Sequence, residues 1–117
     1  MAIQSFEQLE VWKRAHALVL DVYRITDAYP NCEKFGLVSQ MRRAAVSVPA
    51  NIAEGFKRRG VRDKNRFYNF AQGSLEELRY YFILSRDLSY IGSLPPRTAG
   101  IEDVARMLNA LLRSSRV

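Results

Sequence analysis

Two stripes of side chains run along the segment LVSQMRRAAVSVPANIAEGF, residues 37–56, and this segment decides the fold. Both stripes recur every three or four residues, which is the spacing of residues on one face of a helix. The apolar stripe consists of Leu37, Met41, Ala44, Val48, Ile52 and Phe56. The polar stripe consists of Gln40, Arg43, Ser47, Asn51 and Glu54. Because Pro49 lies inside the segment, we predict either a kinked helix or two shorter helices over residues 33–57.

Three further segments show helical spacing. Ser5 and Gln8 form a capping-box pattern and Pro30 stops the following segment, which predicts a first helix over residues 6–29. Two more helices are predicted over residues 63–89 and 98–114. The predicted inward face of the third helix consists of Phe67, Phe70, Ala71, Ser74, Leu75, Leu78, Tyr81, Phe82 and Leu88. No segment alternates as a strand would, so the sequence predicts an all-α, antiparallel four-helix bundle that forms a single domain over residues 1–117.

Composition limits the class of protein. With 117 residues, of which 48% are hydrophobic, the chain has the size and the apolar content of one domain. The single cysteine excludes an internal disulfide and, with one histidine, cannot build the usual zinc sites, so we predict no metal and no cofactor. The longest apolar run, Tyr80 to Leu84, is too short to cross a bilayer, and residues 1–7 lack the features of a signal peptide. We therefore expect a soluble, cytoplasmic protein without a membrane partner.

Positive charge is concentrated in one short window of the chain. The net charge is +6, and residues 57–66 contain six cations against a single acid, Asp63. The six cations are Lys57, Arg58, Arg59, Arg62, Lys64 and Arg66. Such side chains neutralise phosphates, and nearby Phe67 or Tyr68 could stack on an unpaired base. The window predicts a nucleic-acid-binding site, and the alternative is a solvated turn whose aromatic residues belong to the core.

The sequence contains little that points to catalysis. There is no glycine-rich phosphate loop, no nucleophile elbow and no paired-histidine metal motif, and we interpret His16 as a structural or surface residue. Glu54 and Glu77 could in principle hold a divalent ion for phosphodiester cleavage. We favour a structural role, in which Arg43 and Glu77 form an ion pair between helices or between subunits. The protein is therefore predicted not to be an enzyme.

The run SVPANIAEG, residues 47–55, carries a family resemblance together with its flanks. The flanking positions are Gln40, Arg43, Ala44 and Ala45 before the run, and Ala71, Gly73, Ser74, Glu77 and Leu78 after it. More distant positions that fit are Phe6, Leu9, Trp12, Pro30, Glu33, Leu88, Tyr90, Met107 and Leu108. On these residues the chain resembles the four-helix bundle family encoded in intervening sequences of 23S ribosomal RNA, and the resemblance covers nearly the whole chain.

The resemblance implies a left-handed up-and-down bundle, a homopentamer with a central channel, and a role connected with RNA. It also implies kinship with the accessory proteins of diversity-generating retroelements, which are similar pentamers that bind nucleic acid and a reverse transcriptase. From the residues alone, the polar stripe could be solvated surface, a hydrogen-bonded seam between subunits or a strip that faces RNA. The resemblance favours a packed polar network or a subunit interface. That set consists of Gln40, Arg43, Ser47, Asn51, Glu54, Ser74 and Glu77.

The leading hypothesis is an oligomeric, non-enzymatic scaffold that binds RNA. The alternative is an adaptor for a nucleic-acid-processing enzyme, such as a reverse transcriptase or a ribosome-associated factor, in which the basic surface meets an acidic partner. A DNA-binding helix-turn-helix could use residues 52–70, but a basic link of seven or eight residues is longer than the usual turn of that motif. A nuclease is the least favoured hypothesis.

Overall fold

Four α-helices make up most of the chain in the computed structural model, which describes residues 2–114. They are α1 (Glu10–Thr26), α2 (Leu37–Lys57), α3 (Val61–Asp87) and α4 (Ala99–Ser114). Two short 3₁₀ helices, Phe6–Gln8 and Asn31–Glu33, precede α1 and α2. No strand occurs within residues 2–114, so the predicted all-α class is confirmed.

Each helix packs beside two neighbours and runs antiparallel to them. The hydroxyl oxygens of Ser47 on α2 and Ser74 on α3 lie 2.8 Å apart, and the Lys64 ammonium near the start of α3 meets the Gly55 carbonyl near the end of α2. Further contacts join α1 to α2, α1 to α4 and α3 to α4, so α1 lies diagonally opposite α3. The chain therefore forms the predicted up-and-down four-helix bundle.

The two ends of the bundle carry different parts of the chain. One end holds the α2–α3 turn, the first 3₁₀ helix and the close approach of residues 9–11 to the last turns of α4. The other end holds the α1–α2 link and the α3–α4 loop, where the Tyr29 and Tyr90 rings lie 5.2 Å apart. The α2–α3 turn thus shares its end with the first and last residues that the structure describes.

The core forms where the apolar faces of the four helices meet. Its largest fully buried apolar side chains are Phe82, Met41, Ile52, Leu75, Leu78, Leu108, Val22, Val48 and Val104. Burying one such side chain stabilises the folded state by roughly 1.5–3 kcal/mol relative to leaving it exposed. The predicted apolar stripe of α2 lies in this core, and only Phe56 at its end is half-buried.

The inward face of α3 differs from the predicted one. Its buried residues are Tyr68, Ala71, Leu75, Leu78, Phe82 and Ser85. Phe70 and Leu88, both predicted to face inward, are 51% and 45% exposed. The prediction was wrong at Phe70 because aromatic and leucine side chains surround α3, so their spacing does not locate the centre of the buried face. It was wrong at Leu88 because α3 ends at Asp87, one residue earlier. An apolar part of α3 consequently remains uncovered in the single chain.

The helix ends are set by local hydrogen bonds. The predicted capping box forms, with the Gln8 side-chain oxygen accepting from the Ser5 backbone N–H at 3.1 Å, but it caps the first 3₁₀ helix rather than α1. α1 ends at Thr26 instead of residue 29. The N–H groups of Ala28 and Tyr29 donate to carbonyls three residues back, whereas an α-helix requires carbonyls four residues back. The boundaries therefore move by a few residues while each predicted helix is present.

Pro49 lies within one continuous α2, so the alternative of two shorter helices is wrong. A proline has no N–H, and the Ala45 carbonyl therefore lacks its usual donor. Pro49 and Ala45 are both buried in the bundle. Packing of the apolar stripe maintains the helix through this position.

Glu33 joins the start of α2 to the α3–α4 loop. One oxygen of its carboxylate accepts from the Leu37 N–H at 3.3 Å, and the other accepts from the Tyr90 hydroxyl at 2.8 Å. A carboxylate at a helix N-terminus is favoured by the unpaired N–H groups there. The hydrogen bond to Glu33 raises the pKa of Tyr90. α2 begins at Leu37 rather than residue 33, because Asn31–Glu33 form a separate 3₁₀ helix and the Glu33 carboxylate accepts from the first N–H of α2.

Candidate nucleic-acid interface

Only three residues, Arg58 to Gly60, join α2 to α3. The expected basic link of seven or eight residues was wrong, because α3 already begins at Val61 and the later cations lie on that helix. The two helices then pack against each other antiparallel along their length, whereas the helices of a helix-turn-helix cross at roughly 90–120°. The helix-turn-helix hypothesis is therefore wrong, and residues 52–70 form the end of a tight helical hairpin.

Gly55 allows the two helices of this hairpin to approach. A Cβ atom at this position would lie 2.6 Å from Cε1 and 2.9 Å from Cδ1 of the Tyr68 ring, and 3.2 Å from the Lys64 carbonyl oxygen. Tyr68 is almost fully buried, and this burial raises its pKa. The position therefore excludes every side chain larger than hydrogen unless the hairpin shifts.

Lys64, one of the six predicted cations, is engaged inside the hairpin. Its ammonium donates to the carbonyl oxygens of Gly55 and Phe56, each at 3.1 Å, and lies 5.6 Å from the centroid of the Phe56 ring. These carbonyls belong to the last turn of α2, where a cation is favoured. Desolvation lowers the pKa of Lys64. Its position makes it a cap for α2.

Arg58 and Arg66 both pack on Phe67. Their guanidinium carbons lie 4.6 and 5.0 Å from the centroid of the ring. Arg58 also pairs with Glu54 at 3.0 Å, and Arg66 pairs with Asp63 at 3.6 Å. All four charged side chains are at least 40% exposed, and exposed pairs of this kind are worth only about 0–1 kcal/mol. Both arginines can therefore exchange these carboxylates for phosphates at little cost.

Three predicted cations, Lys57, Arg59 and Arg62, are exposed and unpaired within residues 2–114. They lie at the end of α2, in the link and in the first turn of α3. None of the three side chains has a carboxylate within 4.0 Å or donates a hydrogen bond to a described residue. We call these three residues the basic turn. Their charges are available to an anionic partner.

The predicted polar network divides into two parts. Ser47 and Asn51 are half-buried, and the Asn51 amide donates to the carbonyl oxygen of Ser47 at 2.8 Å and to its hydroxyl at 2.9 Å. The Ser47 hydroxyl contacts that of Ser74, which links α2 to α3. Gln40 and Glu54 are exposed at either end of the stripe. The structure thus brings three of the predicted residues together in a seam and leaves the others at the surface.

Arg43 and Glu77 lie at the same level of the hairpin without forming an ion pair. Counted from the contact of Ser47 with Ser74, Arg43 is four residues along α2 and Glu77 is three residues along α3 in the same direction. Both are exposed, and no ion pair within 4.0 Å joins them. Burial first, and then the nearby Glu77 carboxylate, raise the pKa of Tyr81. The predicted ion pair between helices therefore does not form within one chain.

Glu54 and Glu77 are too far apart along the hairpin to share a metal ion within one chain. From the contact of Ser47 with Ser74 they lie in opposite directions, seven and three residues away, which corresponds to about 15 Å at 1.5 Å per residue. Two carboxylates must lie within a few ångströms of a common ion to bind it. In the part of the chain that the structure describes, no group of three or more His, Cys, Asp and Glu side chains could hold a metal ion.

The N-terminal segment borders the basic turn, a position that was not predicted from the sequence. Phe6, in the first 3₁₀ helix, lines a cleft together with Phe56 and Lys57 at the end of α2. Because α1 and α2 run antiparallel, the start of α1 and the end of α2 lie at the same end of the bundle, and residue 6 lies there as well. The antiparallel order of the helices, which was predicted from the sequence, could have located Phe6 beside the end of α2.

None of the helices within residues 2–114 combines the length and the apolar character that a membrane span requires.

Comparisons with known proteins give a family and a fold. A family model described as 23S rRNA-intervening sequence protein matches residues 7–110. A solved structure, that of a protein with unknown function from the S23 ribosomal protein family of Bacteroides thetaiotaomicron VPI-5482, is similar to the chain with a TM-score of 0.78 and 18% sequence identity. The similarity covers 88% of this chain and 98% of that chain, and at this identity it shows the fold alone. No curated protein matches the chain significantly.

Proposed function

The chain belongs to the 23S rRNA-intervening sequence protein family, and from this premise we propose that it is a non-enzymatic, homo-oligomeric protein that binds RNA through the basic turn. The observation that carries the proposal is the exposure of Lys57, Arg59 and Arg62 without carboxylate partners among residues 2–114. Phosphates are the ligands that such cations neutralise, and the net charge of +6 attracts polyanions from a distance. The description of the family, which refers to ribosomal RNA, supports RNA as the polyanion.

Arg58 and Arg66 supplement the basic turn. Their guanidinium groups are held in place by the Phe67 ring, and their carboxylate partners are exposed. Planar guanidinium groups bind phosphate through two parallel hydrogen bonds. Lys64 is not part of this set, because its ammonium is bound to the carbonyls at the end of α2.

The RNA-binding proposal is tested by its dependence on salt. Each phosphate that a cation neutralises contributes about −0.7 to the slope of log affinity against log salt for single strands, so the three cations of one basic turn predict a slope of about −2, or about −3.5 when Arg58 and Arg66 also bind phosphates. Two subunits on one strand double these values. We expect these slopes in anisotropy titrations of single-stranded RNA at 50–200 mM salt, and steeper slopes, about −0.9 for each phosphate, where the RNA is base-paired.

Duplex DNA and magnesium serve as controls in the same titrations. We expect RNA to remain intact when Mg²⁺ is added, and cleavage would contradict the non-enzymatic assignment. Affinity that does not change with salt would rule out phosphate neutralisation as the mechanism. A chain that binds none of these nucleic acids would favour the adaptor, in which the basic turn meets an acidic protein.

Uncovered apolar side chains support oligomerisation. Phe70 and Tyr80 on α3, Leu88 directly after α3 and Val46 on α2 are between 42% and 57% exposed, although they are large and apolar. They lie along the hairpin that α2 and α3 form, and apolar patches on a protein surface are characteristic of interaction sites. We propose that copies of the chain cover them, in the homopentamer that the family resemblance implies. A ring of copies would repeat the basic turn and raise avidity for a long polyanion without any new contact.

Asn51→Leu is expected to disturb assembly before it unfolds the monomer. The substitution removes the amide that donates to Ser47, and because Asn51 is half-buried the cost to folding is about 1 kcal/mol, the lower part of the usual range. Because the family resemblance implies that the polar network packs at a subunit interface, the mass of the particle, measured by light scattering, should fall, while the helical circular dichroism at 25 °C is retained.

Asn69→Leu is the matched control for assembly, because Asn69 is an exposed asparagine on α3 and lies outside the polar network. Its particle mass should equal that of the wild type. An Asn51→Leu particle of unchanged mass would count against a role of the seam in assembly.

A further inference from the structure

A cleft of about 380 Å³ opens beside the basic turn. Residues 4–6 line it on one side, and Ala53, Glu54, Phe56 and Lys57 at the end of α2 line it on the other. Lys57 belongs both to this cleft and to the basic turn. A polyanion bound at the basic turn would therefore pass the mouth of the cleft.

The two aromatic rings of the cleft are already fixed by neighbouring groups. The Phe6 ring packs edge-to-face on Trp12, with 5.1 Å between the ring centroids and 61° between the planes. The Phe56 ring is held by the Lys64 ammonium, 5.6 Å from its centroid. Both residues remain half-buried, so part of each stays accessible from the cleft. Ordered aromatic surfaces of this kind bind flat, apolar groups with little loss of side-chain entropy.

The polar groups of the cleft suit a nucleobase. The Glu54 carboxylate can accept hydrogen bonds from the amino or imino N–H groups at the edge of a base. Arg58 lies 3.0 Å from this carboxylate, and because a guanidinium has five N–H donors it can contact both Glu54 and a nearby phosphate, which reduces the repulsion between the two anions. Lys57 supplies the cation for that phosphate. Aromatic wall, acceptor and cation are thus combined at one site.

We propose that this cleft binds one unpaired nucleobase of an RNA strand whose phosphates lie on the basic turn, an inference that rests on the proposed RNA binding. The bases of a duplex are stacked inside the helix and cannot enter a cleft, whereas the bases of loops, bulges and single strands can turn outward. The protein consequently prefers unpaired RNA to duplex RNA of equal length. The neighbouring phosphate contact to Lys57 brings the base to the mouth of the cleft.

The direct test compares a short single-stranded RNA with the same strand made abasic, because the two share the phosphate backbone. The wild-type protein should bind the base-containing strand about tenfold more tightly, which is a typical effect of stacking one base on an aromatic side chain. A 2-aminopurine placed in the strand should lose fluorescence on binding. Phe6→Leu and Phe56→Leu should each remove most of the tenfold preference and of the quenching, while the dependence of binding on salt stays the same.

Phe35→Leu is the matched control, because Phe35 is 89% exposed and lies at the opposite end of the bundle. It should bind both strands as the wild type does. Equal wild-type affinity for the base-containing and abasic strands would overturn the cleft proposal alone and leave phosphate binding intact. Failure of the wild type to bind either strand would overturn RNA binding and the cleft together. The abasic comparison needs no variant, so it remains decisive even if Phe6→Leu or Phe56→Leu unfolds.

Discussion

Gly55→Ala is expected to lower the free energy of unfolding by about 2 kcal/mol. An alanine Cβ would lie 2.6 Å from the buried Tyr68 ring and 3.2 Å from the Lys64 carbonyl oxygen, and neither group is the free end of a flexible side chain. Overpacking usually costs about 1–3 kcal/mol, and we expect about 3 kcal/mol here because neither group can move away easily. The helix propensity of alanine over glycine returns about 1 kcal/mol, which leaves the net loss. Urea denaturation followed by circular dichroism measures the difference.

Gly73→Ala is the matched substitution, because Gly73 lies inside α3 and a Cβ there would meet no described atom within 4 Å other than its chain neighbours and the nearby backbone of its own helix. Only the higher helix propensity of alanine then changes the stability, and the free energy of unfolding should rise by about 0.5–1 kcal/mol. A lower free energy of unfolding for Gly55→Ala together with a higher one for Gly73→Ala would show that the close approach of α2 and α3 requires Gly55. Equal stabilisation by both would contradict this packing and would mean that the hairpin is wider than described.

Replacing Lys57, Arg59 and Arg62 together by Gln is expected to weaken RNA binding about 100-fold at low salt, since removing each charged interaction with a phosphate costs about 1 kcal/mol or more. The slope of log affinity against log salt should also fall by about 2, because the variant no longer neutralises three phosphates. The fold should be unchanged, since these side chains are exposed and have no partner among residues 2–114. Anisotropy titration of the same RNA at several salt concentrations gives both quantities.

The control for this variant removes the same charge elsewhere. Lys34, Arg79 and Arg97 are exposed and lie away from the basic turn, so replacing them by Gln lowers the net charge of +6 by the same amount. If the basic turn is the binding site, this control should retain most of the affinity and most of the salt slope. An equal decrease in affinity for both variants would mean that binding reflects overall charge and not a site.

The sequence predicted the bundle because local rules and the periodic pattern agreed in most segments. In α2 the apolar and polar stripes are separate, and the structure places them in the core and along the α3 seam or the surface. In α3 the apolar residues encircle the helix, so the exposure of Phe70 depends on which neighbours α3 has in three dimensions. Spacing along one helix cannot contain that information.

The roles within the candidate site depended even more on tertiary contacts. The sequence places six cations in one window but does not distinguish Lys64, which caps α2, from Arg62, which has no partner within residues 2–114. The distinction follows from the tight turn, which brings the start of α3 against the carbonyls of α2. The requirement for glycine at residue 55 likewise arises only from the opposing Tyr68 ring.

The position of Cys32 at the end of the bundle remote from the basic turn has a practical use. It is the single cysteine of the chain and is exposed in the α1–α2 link. The length of α2, about 30 Å at 1.5 Å per residue, separates it from the residues proposed to bind RNA. A thiol-reactive dye would therefore label one defined site of the native sequence and leave the binding surface clear. Residues 4–6 and the last turns of α4, by contrast, lie at the end of the bundle that holds the basic turn, and a label attached there would approach the ligand.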